Sequence, residues 1–399
     1  MKSNYKQLGE FIRQIDVRNK DGKEENLLGV SVQKKFMPSI ANTVGTDFTK
    51  YKVVKKGQFT YIPDTSRRGD KIGIALLEDY DEGLVSNVYT VFEVIDEKKL
   101  IPQYLMLWFS RPEFDRYARF KSHGSVREVM DWEEMCKVEL PVPSYEEQLN
   151  IVESCKAITD RIALKQKIND NLEATIKTVF KSWFLDFDAL GNIEFVNSPY
   201  GLIPKGWYYE LLGNICKCVT KGTTPTTLGK DFTDSGINFI KGESINDDHS
   251  FNRDLFSHID NETDVLLKRS RIHENDILFT IAGTLGKFAL VDNSILPANT
   301  NQAVAIIRTN KIMPEMLYSY FIGDWQIEFY KRNTQQAVQA NLSLGTIKNL
   351  PILLPDSKNQ AQYMHIIKPL IIAIKNNFAE IEMLHELKNR VLTKLSLNR

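Results

Sequence analysis

The segment from Asn197 to Tyr200 reads Asn-Ser-Pro-Tyr and differs by one residue from Asn-Pro-Pro-Tyr, the loop of amino-methylating DNA methyltransferases. That chemistry also needs a glycine-rich S-adenosylmethionine loop of Phe-x-Gly-x-Gly type at the end of a strand. The sequence contains no such segment, and Ser198 replaces the first proline of the loop. We therefore interpret this stretch as a linker that contains the chain-breaking residues Pro199, Gly201, Pro204 and Gly206.

Other patterns that could support catalysis are incomplete. Pro63-Asp64 lies too far from Glu97-Lys98-Lys99 to form a nuclease motif with it. The segment from Gly283 to Lys287 has the wrong glycine spacing for a phosphate-binding loop and lacks a Ser or Thr after its lysine, so it predicts a turn between strands. The six histidines include no ligand pair at helical spacing. The sequence predicts no catalytic residue, no metal and no cofactor.

Length and charge limit the remaining function classes. The 399 residues are enough for two domains with sizeable cores. Lys plus Arg equals Asp plus Glu at 51 each, so any argument for a nucleic-acid partner must be local. No run of 18 apolar residues occurs and no apolar segment follows the first basic residues, which predicts a soluble, cytoplasmic protein. We expect four reduced thiols, at Cys136, Cys155, Cys216 and Cys218.

The chain contains an internal repeat with an offset of 212 residues. Leu84 to Asn87 aligns with Leu296 to Asn299, and the same offset continues without a gap for about sixty-five residues, until Gln148 meets Gln360. An offset of this constancy indicates two copies of one unit, each about half of the chain.

Each copy changes its pattern at the same place. Short β-branched and aromatic runs before Pro143 and Pro355 predict strands. Apolar residues spaced by three or four follow both prolines and predict long amphipathic helices, the first over about residues 146 to 185. Ser144 with Glu147 fits a capping box, and Asp356 fits a cap for the second helix. We expect Pro369 to kink the second helix or to move its start, and the two helices to pack as an antiparallel pair.

Local charge and amide clusters are candidates for contacting nucleic acid. Residues 31 to 72 hold nine basic and three acidic residues, a local balance of +6. A second basic cluster covers residues 116 to 127, and its counterpart at 333 to 341 is rich in Asn and Gln. Arg and Lys pair with guanine, while Asn and Gln pair with adenine, so the two copies would read different sequences. A solvated polar surface is the alternative for each cluster.

The chain resembles the specificity subunits of type I restriction-modification systems over nearly its whole length. The most specific segments are "INDNLEATIKTVFKSWFLDFD" (168 to 188), "GLIPKGW" (201 to 207), "KGTTP" (221 to 225) and "NDILFTIAGTLGKFALVD" (275 to 292). The resemblance implies an α/β (α+β) fold with two repeated target-recognition domains with mostly β cores, separated by two long antiparallel coiled-coil helices. It also implies three partners: double-stranded DNA, two methylation subunits, and restriction subunits in the full complex.

This organisation divides the chain into five parts. We expect a first recognition domain at 1–143, a central helix at 144–188, a linker at 189–205, a second recognition domain at 206–355 and a C-terminal helix at 356–399. The candidate DNA-binding residues are Lys34, Lys35, Arg67, Arg68, Lys71, Asn87, Lys121, His123, Ser125, Arg127, Lys221, Thr223, Thr224, Lys287, Asn299, Asn301, Gln335, Gln336, Gln339 and Asn341.

The helices supply a second set of candidates. The aromatic residues Phe180, Trp183, Phe184 and Phe187 are candidates for docking the methylation subunits, with burial inside the chain as the alternative. The predicted function is non-catalytic recognition of a split, asymmetric DNA target, one half per domain, which directs methylation and restriction subunits to it. Alternatives are a specificity subunit of a methylation-only or type IIB-like system, a stand-alone two-domain DNA-binding regulator, and a structural coiled-coil adaptor.

Overall fold

A computed structural model describes residues 5–22, 26–39, 45–64, 71–122, 128–325, 327 and 342–397. The chain divides into two compact units, which we call unit 1 and unit 2. Unit 1 contains Met1–Ile162 with Glu382–Arg399, and unit 2 contains Ala163–Ile381. Within the described residues, no helix has the length and apolar character that a membrane crossing requires.

Unit 1 is built on short strands followed by helices. Its strands are β1 (Tyr5–Gln7), β2 (Ile12–Ile15), β3 (Leu28–Val30), β4 (Phe36–Pro38), β5 (Lys52–Lys55), β6 (Phe59–Tyr61), β7 (Ile74–Leu76), β8 (Glu82–Val85), β9 (Thr90–Val94) and β10 (Glu139–Pro141). Its helices are α1 (Pro102–Phe109), α2 (Pro112–Lys121), α3 (Trp132–Cys136) and the first part of α4 (Tyr145–Phe184).

Unit 2 begins with an additional hairpin and has two short helices between its strands. Its strands are β11 (Phe195–Ser198), β12 (Gly201–Pro204), β13 (Tyr208–Leu211), β14 (Cys216–Lys221), β15 (Ile237–Ile240), β16 (Ser257–Ile259), β17 (Ile277–Thr280), β18 (Phe288–Leu290), β19 (Ala298–Thr300), β20 (Val304–Thr309) and β21 (Pro351–Leu354). Its helices are α5 (Leu212–Ile215), α6 (Asn261–Leu266), α7 (Pro314–Ile322), α8 (Leu344–Lys348) and the first part of α9 (Ser357–Leu397).

The sheets confirm the internal repeat. Unit 1 has a four-stranded antiparallel sheet in the order β2-β9-β6-β7, and unit 2 has one in the order β14-β20-β17-β18. In each unit a separate two-stranded sheet pairs an early strand with the last one, β1 with β10 and β13 with β21. α1 and α7 begin 212 residues apart, and each has a proline in its first turn, where the missing N–H costs no hydrogen bond.

Each unit packs its sheet on its own aromatic core. In unit 1, Phe59 and Phe92 stack with ring centroids 4.9 Å apart, and Phe109 meets both rings edge-on. In unit 2, Phe279 and Phe288 of the central hairpin pack against Phe321 of α7. These buried rings explain the aromatic strand runs in the sequence, and the mixed architecture confirms the predicted fold class.

The long helices begin where the caps predict. The Ser144 hydroxyl accepts from the Glu147 backbone N–H at 3.3 Å, and the Glu147 carboxylate accepts from the Ser144 N–H at 3.0 Å. The Asp356 carboxylate accepts from the backbone N–H groups of Lys358 and Asn359. Pro369 lies inside α9 and does not move its start, so of the two expected effects only the kink stays a prediction.

The helices pair in opposite directions within each unit. In unit 2, Asn377 donates to the Asn169 side chain at 2.7 Å and accepts from Lys165 at 2.9 Å, while Trp183 contacts Tyr363 further along. In unit 1, Lys388 donates to the Thr159 hydroxyl at 3.1 Å. Rising numbers on α4 meet falling numbers on α9, which confirms the antiparallel pair.

Candidate nucleic-acid interface

Four candidate residues of unit 2 come together where β14 meets the segment after β19. The Gly222 backbone N–H donates to the Asn301 carbonyl at 3.0 Å, and a Cβ at Gly222 would lie 1.6 Å from the Thr300 carbonyl oxygen. Only glycine permits this approach. The Thr224 hydroxyl donates to the Gln302 side chain at 2.6 Å. The two segments, Lys221 to Thr224 and Thr300 to Gln302, therefore form one surface, which we call the glycine junction.

The glycine junction presents cationic and amide groups to solvent. Lys221 and Gln302 are exposed, and Thr223, Thr224 and Asn301 are half-buried. The guanidinium of Arg269, also exposed, lies 3.5 Å from the Lys221 carbonyl oxygen. Cations and hydroxyls can contact phosphate oxygens, and an amide can pair with a base edge. Gln302 and Arg269 were missed from the sequence. Gln302 directly follows the candidate Asn301 and could have been included, whereas Arg269 approaches Lys221 only through folding.

Asn299 is a correction to the predicted site. Its side chain is fully buried, donates to Asp264 and to the Leu267 carbonyl, and accepts from the Ser270 hydroxyl at 2.7 Å and from the Thr300 N–H. Every polar atom of this amide has a partner inside unit 2, so it cannot reach a base. Asn299 instead fixes the strand that leads into the glycine junction.

Lys287 lies in the turn between β17 and β18, as the sequence predicts for the segment from Gly283 to Lys287. Its ammonium group forms an ion pair with Asp247 at 2.8 Å, and its backbone N–H donates to the Thr280 hydroxyl at 2.9 Å. The side chain is half-buried. The partner carboxylate neutralises much of the local charge, so Lys287 is a weaker candidate for a phosphate contact than Lys221.

Lys34, a second candidate DNA-binding residue, also has a buried side chain. This side chain donates to the Phe109 carbonyl and forms an ion pair with Asp115 at 2.8 Å. Burial lowers the pKa of Lys34, Asp115 opposes that change, and the positive charge of Lys71 adds to it. Asp115 also accepts from the Ile72 backbone N–H at 3.2 Å. Lys34 therefore does not contact DNA but, with Asp115, joins three segments of unit 1.

The remaining described candidates of unit 1 reach solvent. Lys35 and Lys71 are exposed on the segments that the Lys34–Asp115 pair holds together. Asn87 is exposed in the turn between β8 and β9. Lys121, half-buried at the end of α2, lies 5.9 Å from the ring centroids of Tyr117 and Phe120. Nine candidates lie outside the described residues: Arg67, Arg68, His123, Ser125, Arg127, Gln335, Gln336, Gln339 and Asn341.

The predicted docking cluster is largely core. Phe180, Trp183 and Phe184 are buried in unit 2, where the Phe184 ring lies 4.9 Å from both Tyr320 and Tyr363. The docking assignment of these three residues is therefore wrong, because their side chains are already covered by their own unit. Phe187 is half-buried between Phe195 and Trp207, and its docking role stays a prediction.

The Asn-Ser-Pro-Tyr segment is part of a β-hairpin. β11 and β12 pair directly, and the Ser198 hydroxyl donates to the Gly201 carbonyl at 2.5 Å and accepts from the Tyr200 N–H. The expected linker is thus ordered secondary structure with a serine that stabilises its turn. Among the residues that the structure describes, no three His, Cys, Asp or Glu side chains are grouped so as to hold a metal ion.

Comparison with known proteins gives one consistent result. The profile of the type I restriction modification DNA specificity domain matches residues 9–174 and again 204–384. The MjaIX specificity subunit of Methanocaldococcus jannaschii is 26% identical over 76% of this chain and 70% of its own length. The HindI specificity subunit of Haemophilus influenzae is 22% identical over 97% of both chains. The type I S subunit of M. genitalium shares the fold at a TM-score of 0.53 and 13% identity, over 98% of this chain and 95% of that one.

Proposed function

The chain belongs to the family of type I restriction-modification specificity subunits, and we propose that it recognises a bipartite, asymmetric DNA target, one half with each unit. The repeated sheet carries this proposal, because both units have the same strand order while their exposed polar side chains differ. Unit 2 presents Lys221 and Gln302 at the glycine junction, and unit 1 presents Lys35 and Lys71. Different surfaces on one scaffold suit two different half-sites.

The paired helices support a spacer role within this proposal. Two readers on one face of B-DNA sit about one turn, roughly 34–36 Å, apart. A buried polar pair in an apolar seam favours one register, and in unit 2 the Asn377 amide donates to the Asn169 side-chain oxygen and accepts from Lys165. We infer that these contacts hold the helices against sliding and so keep the gap between the half-sites constant.

Exposed apolar residues on the same helices support docking of methylation subunits. Leu164 and Ile168 on α4 and Ile366 and Ile372 on α9 are exposed, in contrast to the buried aromatic cluster. They replace Phe180, Trp183 and Phe184 as docking candidates. In this proposal the chain performs no catalysis itself but brings two methylation subunits, and restriction subunits in the full complex, to double-stranded DNA.

A base-resolved methylation map tests the proposal. The host carrying this gene with its neighbouring methylation gene is compared with a host in which this gene alone is deleted. A split motif that disappears on deletion supports the specificity role and identifies both half-sites. An unchanged map, with the methylation subunit expressed and active, contradicts it.

Variants assign the half-sites. Combined Lys221→Ala and Gln302→Ala should relax methylation specificity at one half of the motif and leave the other half intact, because both residues lie in unit 2. Lys217→Ala is a matched control, since Lys217 is an exposed lysine on the same strand, β14. Equal effects of the control and the double variant would remove the glycine junction from the reading surface.

A further inference from the structure

Phe120 is the most exposed large apolar side chain in the described part of the chain, with 80% of its surface open to solvent. Its position on α2 follows from the helical period. Phe114, Asp115 and Ala118 are buried on one face of α2, and Phe120, about 200° around the helix from Ala118, lies on the opposite face. The ring therefore takes little part in the described core of unit 1.

Three cations lie on α2 near Phe120, and two of them are close to a glutamate. Lys121 lies 5.9 Å from the centre of the Phe120 ring, and Arg116, one helical turn earlier, has 71% of its side chain exposed and lies 3.4 Å from Glu113. Arg119 is paired with Glu128 at 3.0 Å. The centre of a protein interface is depleted of charged residues, whereas a nucleic-acid surface combines cations with aromatic rings. An exposed ring with cations on the same helix therefore favours DNA over a protein partner.

We propose that Phe120 is a wedge that enters the base stack of the half-site read by unit 1, while Arg116 and Lys121 contact the flanking phosphates. This inference rests on the proposed function and adds a residue that the basic cluster alone did not single out. An apolar ring inserted at a base step partly unstacks it and gains burial that the free protein does not provide. Lys121 beside the ring and Arg116 one turn earlier attract the backbone on either side of that step.

The test uses the assembled complex of this chain with its methylation subunits and a duplex that carries the mapped target. 2-Aminopurine replaces single bases across the unit 1 half-site, and its fluorescence rises where stacking is lost. We expect a rise at one step on binding of the wild-type complex. Phe120→Ala should abolish that rise and weaken target binding by about tenfold to a hundredfold. Phe120→Trp should keep both properties.

Controls separate the wedge from other roles. Ile95→Ala removes an apolar side chain of unit 1 that is 52% exposed and should change neither signal. Because Phe120 packs on no core, Phe120→Ala should leave the melting temperature unchanged. Wild-type binding without any fluorescence rise, or normal DNA binding by Phe120→Ala together with loss of methylation subunits, would overturn the wedge. Failure of the wild-type complex itself to select the target would instead count against the proposed function.

Discussion

The burial of Phe180 makes a quantitative prediction about unit 2. Its ring stacks on Phe184 at 4.9 Å and meets Tyr320 and Trp325 edge-on. Gly323, directly after α7, has a backbone φ of −72° that alanine adopts freely, but a Cβ there would lie 2.2 Å from the Phe180 ring. The space beside Gly323 is therefore filled by the Phe180 side chain. The effects of substitutions at Phe180 and Gly323 on the free energy of unfolding should therefore be coupled.

The expected free energies follow from cavity formation and overpacking. Phe180→Ala should lower the free energy of unfolding by about 3 to 5 kcal/mol, because it empties a fully enclosed ring site. Gly323→Ala alone should cost about 1 to 3 kcal/mol, because the ring must move aside. In the double variant the methyl group added by Gly323→Ala enters the space that the Phe180 ring has left, so this substitution should no longer lower the free energy of unfolding. The coupling energy should then be about 1 to 3 kcal/mol.

Urea unfolding of the isolated chain, in a background with Trp108→Phe and Trp132→Phe in unit 1, measures this cycle by fluorescence. The remaining tryptophans, Trp183, Trp207 and Trp325, then report on unit 2. Phe195→Ala is the control, since Phe195 is exposed and should cost less than about 1 kcal/mol. Additive costs would refute the packing argument for Gly323. If Phe180→Ala left the isolated chain fully stable but released the methylation subunits, the original docking assignment would be restored.

Three further predictions concern a buried ion pair, a raised pKa and the helical spacer. Lys34→Met should cost about 3 to 5 kcal/mol because it leaves the buried Asp115 carboxylate without its counter-ion. Adding Asp115→Leu should recover part of this loss in thermal denaturation, because it removes the charge but also the acceptor of the Ile72 N–H; a double variant no more stable than Lys34→Met would contradict this. Burial, with help from Asp248 and Asp170, raises the pKa of Glu173 to about 7. Because that value lies above the pKa of 4.5 in the unfolded chain, the ionised Glu173 carboxylate destabilises the folded state. This loss of stability is absent below pH 4.5 and complete above pH 7. Glu173→Gln should therefore raise the free energy of unfolding in urea by about 1 to 2 kcal/mol at pH 8, after solvent screening, but only slightly at pH 4.5. Equal increases at the two pH values would refute the raised pKa of Glu173. Matching seven-residue insertions in α4 and α9 should lengthen the target gap by roughly three base pairs, at about 1.5 Å of helix per residue; an unchanged gap in the methylation map would argue against the spacer.

The parts of the fold that depend on local chemistry could be predicted from sequence. The Ser144–Glu147 box and the Asp356 cap need only residues within three positions of each other, and both form as expected. The repeat supplied longer-range information. Because the same offset holds for dozens of residues, the start of one long helix predicts the start of the other. Within each unit, the pairing of an early strand with the last strand, β1 with β10 and β13 with β21, could not be predicted in this way, because no local pattern encodes it.

The candidate site was predicted less well, because the type of a residue does not reveal whether its side chain points to solvent or into the core. Lys34 and Lys35 look equivalent in sequence, but Lys34 has a left-handed backbone with φ of 62°, its side chain is buried beside Asp115, and that of Lys35 is exposed. Asn299 is buried by polar partners about thirty residues earlier in the chain, at Asp264 and Ser270. Such partners are brought together only by the folded sheets, so the sequence could not separate these structural residues from reading residues.

These two corrections lead to one physical account of how the chain can read DNA with a repeated scaffold. In unit 1 a buried ion pair, Lys34 with Asp115, holds the segments that carry the exposed Lys35 and Lys71. In unit 2 a buried amide, Asn299, holds the segment that leads to the glycine junction. Neither internal group can touch a base, and removing either would disturb the fold. We propose that the exposed lysines beside them, Lys35, Lys71 and Lys221, contact the DNA, so their replacement should alter binding at little cost in stability.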